Sequence, residues 1–378
     1  MNKRDKFFEE FYENKRNDIS FITIKKGASI NFRDNIFIAD KELDIPIRIS
    51  NLLKDIEKQK ETDGISLNNI IDGIIYLFGS DTDFKFLEDY HRIFKGLKFD
   101  ITSYIIYCIN KFDENENEDG MVYGKALINI EENEKSCFVY ACALEKMGLK
   151  LNSDGKDELS GYYLQEANKY FEKCLDYNDK FALAHYKLGF YYKRSQQYVK
   201  ARLIWEKHQK YDDDALRIDE IRNELIQLQP YVDFENGYNF VLKDQPEKGL
   251  DLLLPLTKGF GDWWNLLFFI GLAYRMLGEY DIAETYFENV LKIEKNQKDA
   301  LNELGLCKLC RGKYVEAYEL FSDLLGFDPG NCEVFCNRAV AYMHNNQLDR
   351  AKEDIQTALK INPNDSVALS IKEELEKM

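Results

Sequence analysis

The stretch that decides the fold is WWNLLFFIGLAYRMLGEYDIAETYFENVLKIEK, Trp263–Lys295. Leu267, Ile270, Gly271 and Tyr274 recur at helical spacing and form an apolar stripe. Gly278 then stops the helix, as a C-terminal glycine does. Tyr280, Ala283, Phe287, Val290 and Leu291 begin a second stripe, so the stretch reads as two helices joined by a tight turn. The same residue types return every 34 positions. Gly271, Gly305 and Ala339 hold one phase, and Gly278, Gly312 and Asn346 hold another. Tyr280, Tyr314 and Leu348 follow, then Ala283, Ala317 and Ala351, then Phe287, Phe321 and Ile355. Pro329 and Pro363 close successive periods. Fixed residue types at fixed phases mean one helix pair stacked on copies of itself. Such a stack presents an extended surface for a partner and needs no reactive constellation.

A glycine in mid-helix, as at Gly271, costs about 1 kcal/mol relative to alanine. The cost is tolerable if the missing side chain lets the paired helix approach, with Ala283 as the small residue opposite. Phe287 is then expected to fill the space between adjacent hairpins. In the last copy Ala339 and Asn346 replace the two glycines, as a small residue and as a left-handed turn residue.

These residues resemble the tetratricopeptide repeat family: a small residue after Leu or Ile, an aromatic three on, a turn glycine, then Ala, an aromatic and a closing Pro. The match is close in Trp263–Lys295, Lys298–Pro329 and Asn331–Pro363. It implies an all-α, right-handed superhelical solenoid of helix-turn-helix repeats. Followed backwards, Phe181–Asp213 carries Leu188, Gly189, Tyr192, Ala201 and Trp205 at the right phases. Tyr231–Gly261 keeps Gly237 and Phe240, with Gly249 at the alanine phase. Gly189 and Gly237 are 48 apart, 14 more than one period, so Ala215–Gln229 is expected as an added helix. A further copy is expected in two pieces, Cys137–Gly148 and Leu164–Leu175, with Leu149–Ser160 as an inserted loop. The array then spans residues 132–363 with about six repeats and insertions near 149–160 and 215–229. Residues 364–378 read as a capping helix with Val367, Ile371, Leu375 and Met378 on one face.

Residues 51–131 read as helices, either degenerate repeats or a cap, over Ser66–Phe78, Phe84–Lys95, Ile101–Phe112 and Met121–Ile130. Residues 1–50 are expected to hold a small α/β element with short strands at Ile19–Ile24, Ser29–Phe32, Asn35–Ile38 and Ile45–Ile49. Its expected role is to cap the solenoid, ahead of offering an edge strand to a partner.

The net charge of −16 disfavours nucleic acid and anionic membrane as partners. The N-terminus lacks the apolar run of a signal peptide, and the apolar stretches Ile70–Phe78 and Trp263–Ala273 are too short to span a bilayer. The 8 Cys lie inside apolar helical patterns and not in a disulfide framework, so a cytoplasmic protein is expected.

Motifs for chemistry are weak. Cys307, Cys310, Cys332 and Cys336 have the look of a zinc quartet, but their repeat phases offset the two pairs along the helix axis by roughly 10 Å. Asp113–Asn117 begins like a calcium loop, yet Glu118 and Gly124 stand where glycine and a bidentate glutamate are needed. The four histidines, His91, His185, His208 and His344, fall in no catalytic or metal-binding spacing. No acid, base and nucleophile set emerges, so no enzyme, cofactor or metal is expected.

The resemblance implies that the first helix of each pair lines a concave groove. By phase this face holds Tyr186, Phe190, Lys193 and Arg194, then Phe234 and Tyr238, then Phe268, Leu272 and Arg275, then Asn302 and Leu306, then Val340 and His344. Tyr186, Phe190, Lys193, Arg194, Tyr238, Phe268, Arg275 and Asn302 are the candidate peptide-binding residues. Such a face suits a protein or peptide segment with an acidic or carboxylate group. Family members that bind chaperone tails clamp a terminal carboxylate with Lys and Asn, where this chain has Tyr186, Phe190, Phe234 and Phe268. Chaperone-tail binding is therefore disfavoured. The second reading is an intracellular peptide-sensing regulator with an N-terminal output element. The oligomeric state stays open.

Overall fold

The computed structural model describes residues 2–32, 35–57, 66–81, 84–97, 100–112 and 117–378. Two compact units emerge, Met1–Gln196 with Leu203–Ile221, and Gln197–Arg202 with Arg222–Met378. The chain is all-α apart from a small strand element near the N-terminus, and its helices follow one another as helix-turn-helix pairs.

The first unit opens with α1 (Lys3–Lys15), capped by Asn2, whose side chain accepts the N–H of Asp5 at 2.8 Å. Four strands follow, β1 (Ile19–Ile24), β2 (Ser29–Phe32), β3 (Asn35–Ile38) and β4 (Leu43–Arg48). They pair antiparallel as β1 with β4 and β2 with β3. The expected strands are all present, except that the last begins at Leu43 and gives way at Ile49 to α2 (Ile49–Glu57). Next come α3 (Leu67–Ser80), α4 (Leu87–Gly96), α5 (Ile101–Lys111) and α6 (Asn117–Ile130). Leu43, Ile45 and Ile47 of β4 enter one core with Ile74, Ile75, Tyr90 and Ile93. Gly73 permits this closeness: a Cβ there would lie 2.1 Å from the carbonyl oxygen of Pro46.

A buried charge cluster sits at the root of the strands. Arg48 Nε donates to Asp18 Oδ2 at 2.9 Å, and its Nη2 donates to Asp119 Oδ2 at 2.9 Å. Asp72 Oδ2 lies 3.7 Å from Arg48 Nη1, and the guanidinium lies 3.8 Å from the Tyr76 ring centre. Burial, aided by Asp119 and opposed by Arg48, pushes the Asp72 carboxyl up to about 6.

The unit continues with α7 (Glu134–Ser153), α8 (Asp157–Tyr177), α9 (Ala182–Arg194) and, from Leu203 on, α10 (Tyr198–Tyr211). The inserted loop expected at Leu149–Ser160 is not a loop. Both helices run into it and leave only Asp154–Lys156 between them, with Gly155 at φ +73°. Leu151 stays buried on α7, and Ser160 Oγ donates to the Gly148 carbonyl at 2.8 Å, so the extra residues lengthen a packed hairpin.

The next element is α11 (Ala215–Leu242), 28 residues long with Pro230 inside it. The added helix expected at Ala215–Gln229 and the first helix of the next copy are thus one element. Proline costs a helix one hydrogen bond, but buried Leu228, Val232 and Phe234 on either side hold the helix through it.

The second unit is the regular array: α12 (Pro246–Leu256), α13 (Trp264–Met276), α14 (Tyr280–Ile293), α15 (Lys298–Cys310), α16 (Tyr314–Phe327), α17 (Cys332–His344), α18 (Leu348–Ile361) and α19 (Ser366–Lys377). The mid-helix glycine makes room for a ring and not for the small residue opposite. A Cβ on Gly271 would lie 2.9 Å from Cε1 of Phe287, and Ala283 is not among its nearest neighbours. The turns end in left-handed residues at a constant phase, with Asp244 at φ 59°, Gly278 at 80°, Gly312 at 74° and Asn346 at 59°. Each closes the same pair of hydrogen bonds. At Gly278 they run from its N–H to the Arg275 carbonyl at 3.0 Å and from the Glu279 N–H to the Tyr274 carbonyl at 3.0 Å.

Candidate functional site

In the first unit the candidate residues stand along α9. Its buried side, Ala184, His185, Leu188, Gly189 and Tyr192, anchors the helix and turns the other side outward. Tyr186 and Phe190 are half-buried, with ring centres 5.1 Å apart. The Tyr186 hydroxyl donates to Glu220 Oε2 at 2.9 Å, and burial with that carboxylate pushes it up to about 12. Phe190 meets the edge of Trp205 at 4.9 Å, and Trp205 Nε1 donates to the Tyr186 carbonyl at 3.2 Å. Phe190 therefore divides its surface between core and exterior. At the end of the helix Lys193 is half-buried and Arg194 is exposed. Arg194 Nη2 lies 4.0 Å from Glu145, which also accepts Lys187 Nζ at 2.5 Å.

In the second unit Tyr238 stacks on Phe269 at 5.1 Å and meets Phe234 at 5.3 Å. Phe268 is half-buried, 5.5 Å from Phe269 and 5.7 Å from Phe287. Arg275 and Asn302 do not stand alone. Arg275 Nε is paired with Glu303 Oε2, and burial holds the Glu303 carboxyl above its usual range although Arg275 opposes this. Asn302 Oδ1 accepts Asn337 Nδ2 at 3.2 Å. These two contacts join α13 to α15 and α15 to α17, so the first helices of successive repeats are stitched side by side through the candidate residues. His344 stacks on Tyr314 at 5.1 Å.

The residues that sequence reasoning missed are the partners. Glu145, Glu220, Glu303 and Asn337 engage Arg194, Tyr186, Arg275 and Asn302 respectively; Glu303 and Asn337 share a repeat phase, but no recurring residue type marks it. The one hint was that Glu303 follows Asn302 directly. A cleft of about 460 Å³ lies elsewhere, between α18 and α19, with Ile355, Leu359 and Leu375 as its floor and Lys352, Lys360 and Lys372 on its rim.

On the metal expectations, Cys307 is buried in the apolar core beside Leu304 and Phe287, and Cys310 is exposed. Residues 113–116 of the calcium-like stretch lie outside the described residues. Among the described residues no helix is long and apolar enough to cross a membrane.

Residues 270–331 and 332–365 each match a family profile described as tetratricopeptide repeat. The chain thus carries tetratricopeptide repeats over residues 270–365. Among solved structures, YrrB, described as a tetratricopeptide repeat protein with an unusual peptide-binding site, is 20% identical with a TM-score of 0.39, over 54% of this chain and 97% of that one. The Cut9–Hcn1 structure gives 15% identity and a TM-score of 0.42 over 82% of this chain and 63% of that one. MamA from Desulfovibrio magneticus gives 23% identity and 0.34 over 35% and 76%. None of the three identifies what this chain binds. Its class is that of protein-interaction scaffolds, a fold that is typically non-enzymatic.

Proposed function

We propose that this chain holds a segment of a partner protein against the first helices of its repeats, through Tyr186, Phe190, Lys193 and Arg194 on α9, and that Tyr238 and Phe268 form a face of the same kind within the second unit. The observation that supports this most is α9, which carries two half-buried aromatic rings and an exposed arginine. Aromatic rings supply contact area at low entropic cost, and an arginine fork recognises carboxylates. An extended or helical segment with acidic side chains or a terminal carboxylate suits that combination. Arg275 and Asn302 contribute to the second unit's face indirectly, by fixing the spacing of the helices that carry it.

The experiment is a crosslinking pull-down with mass spectrometry, comparing the natural chain with Lys193→Glu/Arg194→Glu. Loss of a specific partner from the variant supports the assignment. Unchanged recovery of every partner overturns it.

A further inference from the structure

We propose that Cys332, Cys336 and Asp365 form a site for one thiophilic divalent cation of the zinc class. Their ligand atoms, two sulfurs and a carboxylate oxygen, lie within 4.8 Å of one another. Cys332 opens α17 and Cys336 follows four residues later, so both thiols stand on one face of the helix. Asp365 comes from beyond α18, in the turn that follows it. It is the N-cap of α19, where its Oδ1 accepts the Ala368 N–H at 2.9 Å. The turn that brings it there is closed by its own N–H to the Asn362 carbonyl at 3.2 Å, with Asn362 Nδ2 3.4 Å from its Oδ2.

Tetrahedral zinc takes sulfur at about 2.3 Å and oxygen at about 2.0 Å, so its donors stand roughly 3.5 Å apart. Donors already within 4.8 Å need a side-chain adjustment of about 1 Å to close on an ion. Cys336 is buried, while Cys332 and Asp365 are half-buried, which gives the ion an approach from their side. On binding, the two thiol protons leave to solvent and the ion takes two thiolates and one carboxylate, with the fourth position left to water.

This donor set differs from the four cysteines that the sequence brings to mind. Cys307 and Cys310 play no part in it. The third ligand is an aspartate that only the turn after Pro363 delivers. An ion here would tie α17 to the start of α19. That terminal helix is otherwise held by Ala368, Ile371 and Leu375 in the core they share with Ala339 and Ile355. Metal binding would therefore appear as added stability of the array's C-terminal end.

Cobalt(II) titration of the reduced, metal-stripped full-length chain tests this. The expected result is a thiolate-to-cobalt charge-transfer band with tetrahedral d–d absorption, saturating at one equivalent and abolished by added zinc. Cys336→Ser should remove the band. Asp365→Asn keeps a good helix cap and should weaken binding by about ten-fold or more. Zinc should raise the melting temperature of the natural chain and not that of Cys336→Ser. If Cys336→Ser does not fold, Cys332→Ser at the half-buried position gives the same reading. Absence of a charge-transfer band at one equivalent, or a band of full strength in the cysteine variants, overturns the site.

Discussion

A Cβ placed on Gly305 would lie 2.5 Å from Cε1 of Phe321 on the paired helix, sixteen positions further along the chain. The same offset joins Gly189 to Trp205, Gly237 to Leu253 and Gly271 to Phe287. It also joins Gly148 to Leu164 and Gly124 to Tyr140. Glycine and large apolar residue are one packing unit, and the offset is set by the length of a helical hairpin. Gly305→Ala should therefore destabilise the second unit by about 1–3 kcal/mol, since a ring with no room to move must shift. Ala339→Gly, facing the smaller Ile355, should cost only about 1 kcal/mol. Chemical denaturation of both variants checks the ordering, and equal effects would contradict it.

The turn between α9 and α10 places Gln196 at φ 57°, where its counterparts at two other turns are glycines. The left-handed conformation costs a non-glycine residue about 1 kcal/mol. Gln196→Gly should raise stability by roughly 0.5–1 kcal/mol, part of the relief being offset by the greater freedom of glycine in the unfolded chain. A lower denaturation midpoint in this variant would show that the turn is not strained.

Asp72 shares the Arg48 guanidinium with Asp18 and Asp119, and its carboxyl is pushed up to about 6. A folded pKa above the unfolded value of about 3.9 means that the folded chain binds the extra proton. Stability should accordingly fall as pH rises from about 4 to about 6, and the penalty should be fully present above that. Asp72→Asn should flatten this part of the profile and be more stable than the natural chain at pH 7. Melting curves between pH 4 and pH 7 decide this, and an unchanged slope in the variant would be the contrary result.

Arg275 and the α9 cations should behave differently under charge reversal. Arg275→Glu leaves a second carboxylate facing the mostly buried Glu303 and should cost about 2–3 kcal/mol. Lys193→Glu/Arg194→Glu, at half-buried and exposed positions, should change stability by about 0.5 kcal/mol or less per site. Thermal melts of the two variants separate a structural cation from a binding one.

The repeat was legible because each of its markers answers a local physical need. Gly278 and Asn346 supply the left-handed turn, and Gly271 and Gly305 supply the notch for a ring. The period alone did not say what fills that notch, and Ala283 was the wrong choice because the ring reaches across from the paired helix. Residues added near 149–160 and 215–229 were read as a loop and a separate helix. A helix can absorb extra turns when Leu151 or Leu228 finds a core, and an isolated Pro230 does not overcome such packing. At the candidate site the phase identified the face-bearing residues but not their partners. Glu303 and Asn337 act one repeat away, and nothing in a single repeat shows that their side chains reach back.

The most direct measurement is site-specific photocrosslinking. A benzoylphenylalanine at Tyr186, a second at Tyr238 and a third at Leu203, an exposed residue of α10, would each be used to trap partners. The account predicts that the Tyr186 and Tyr238 probes trap the same protein and that the Leu203 probe does not. Equal trapping from all three positions, or trapping from Leu203 alone, would contradict the claim that the first helices of the repeats hold the partner.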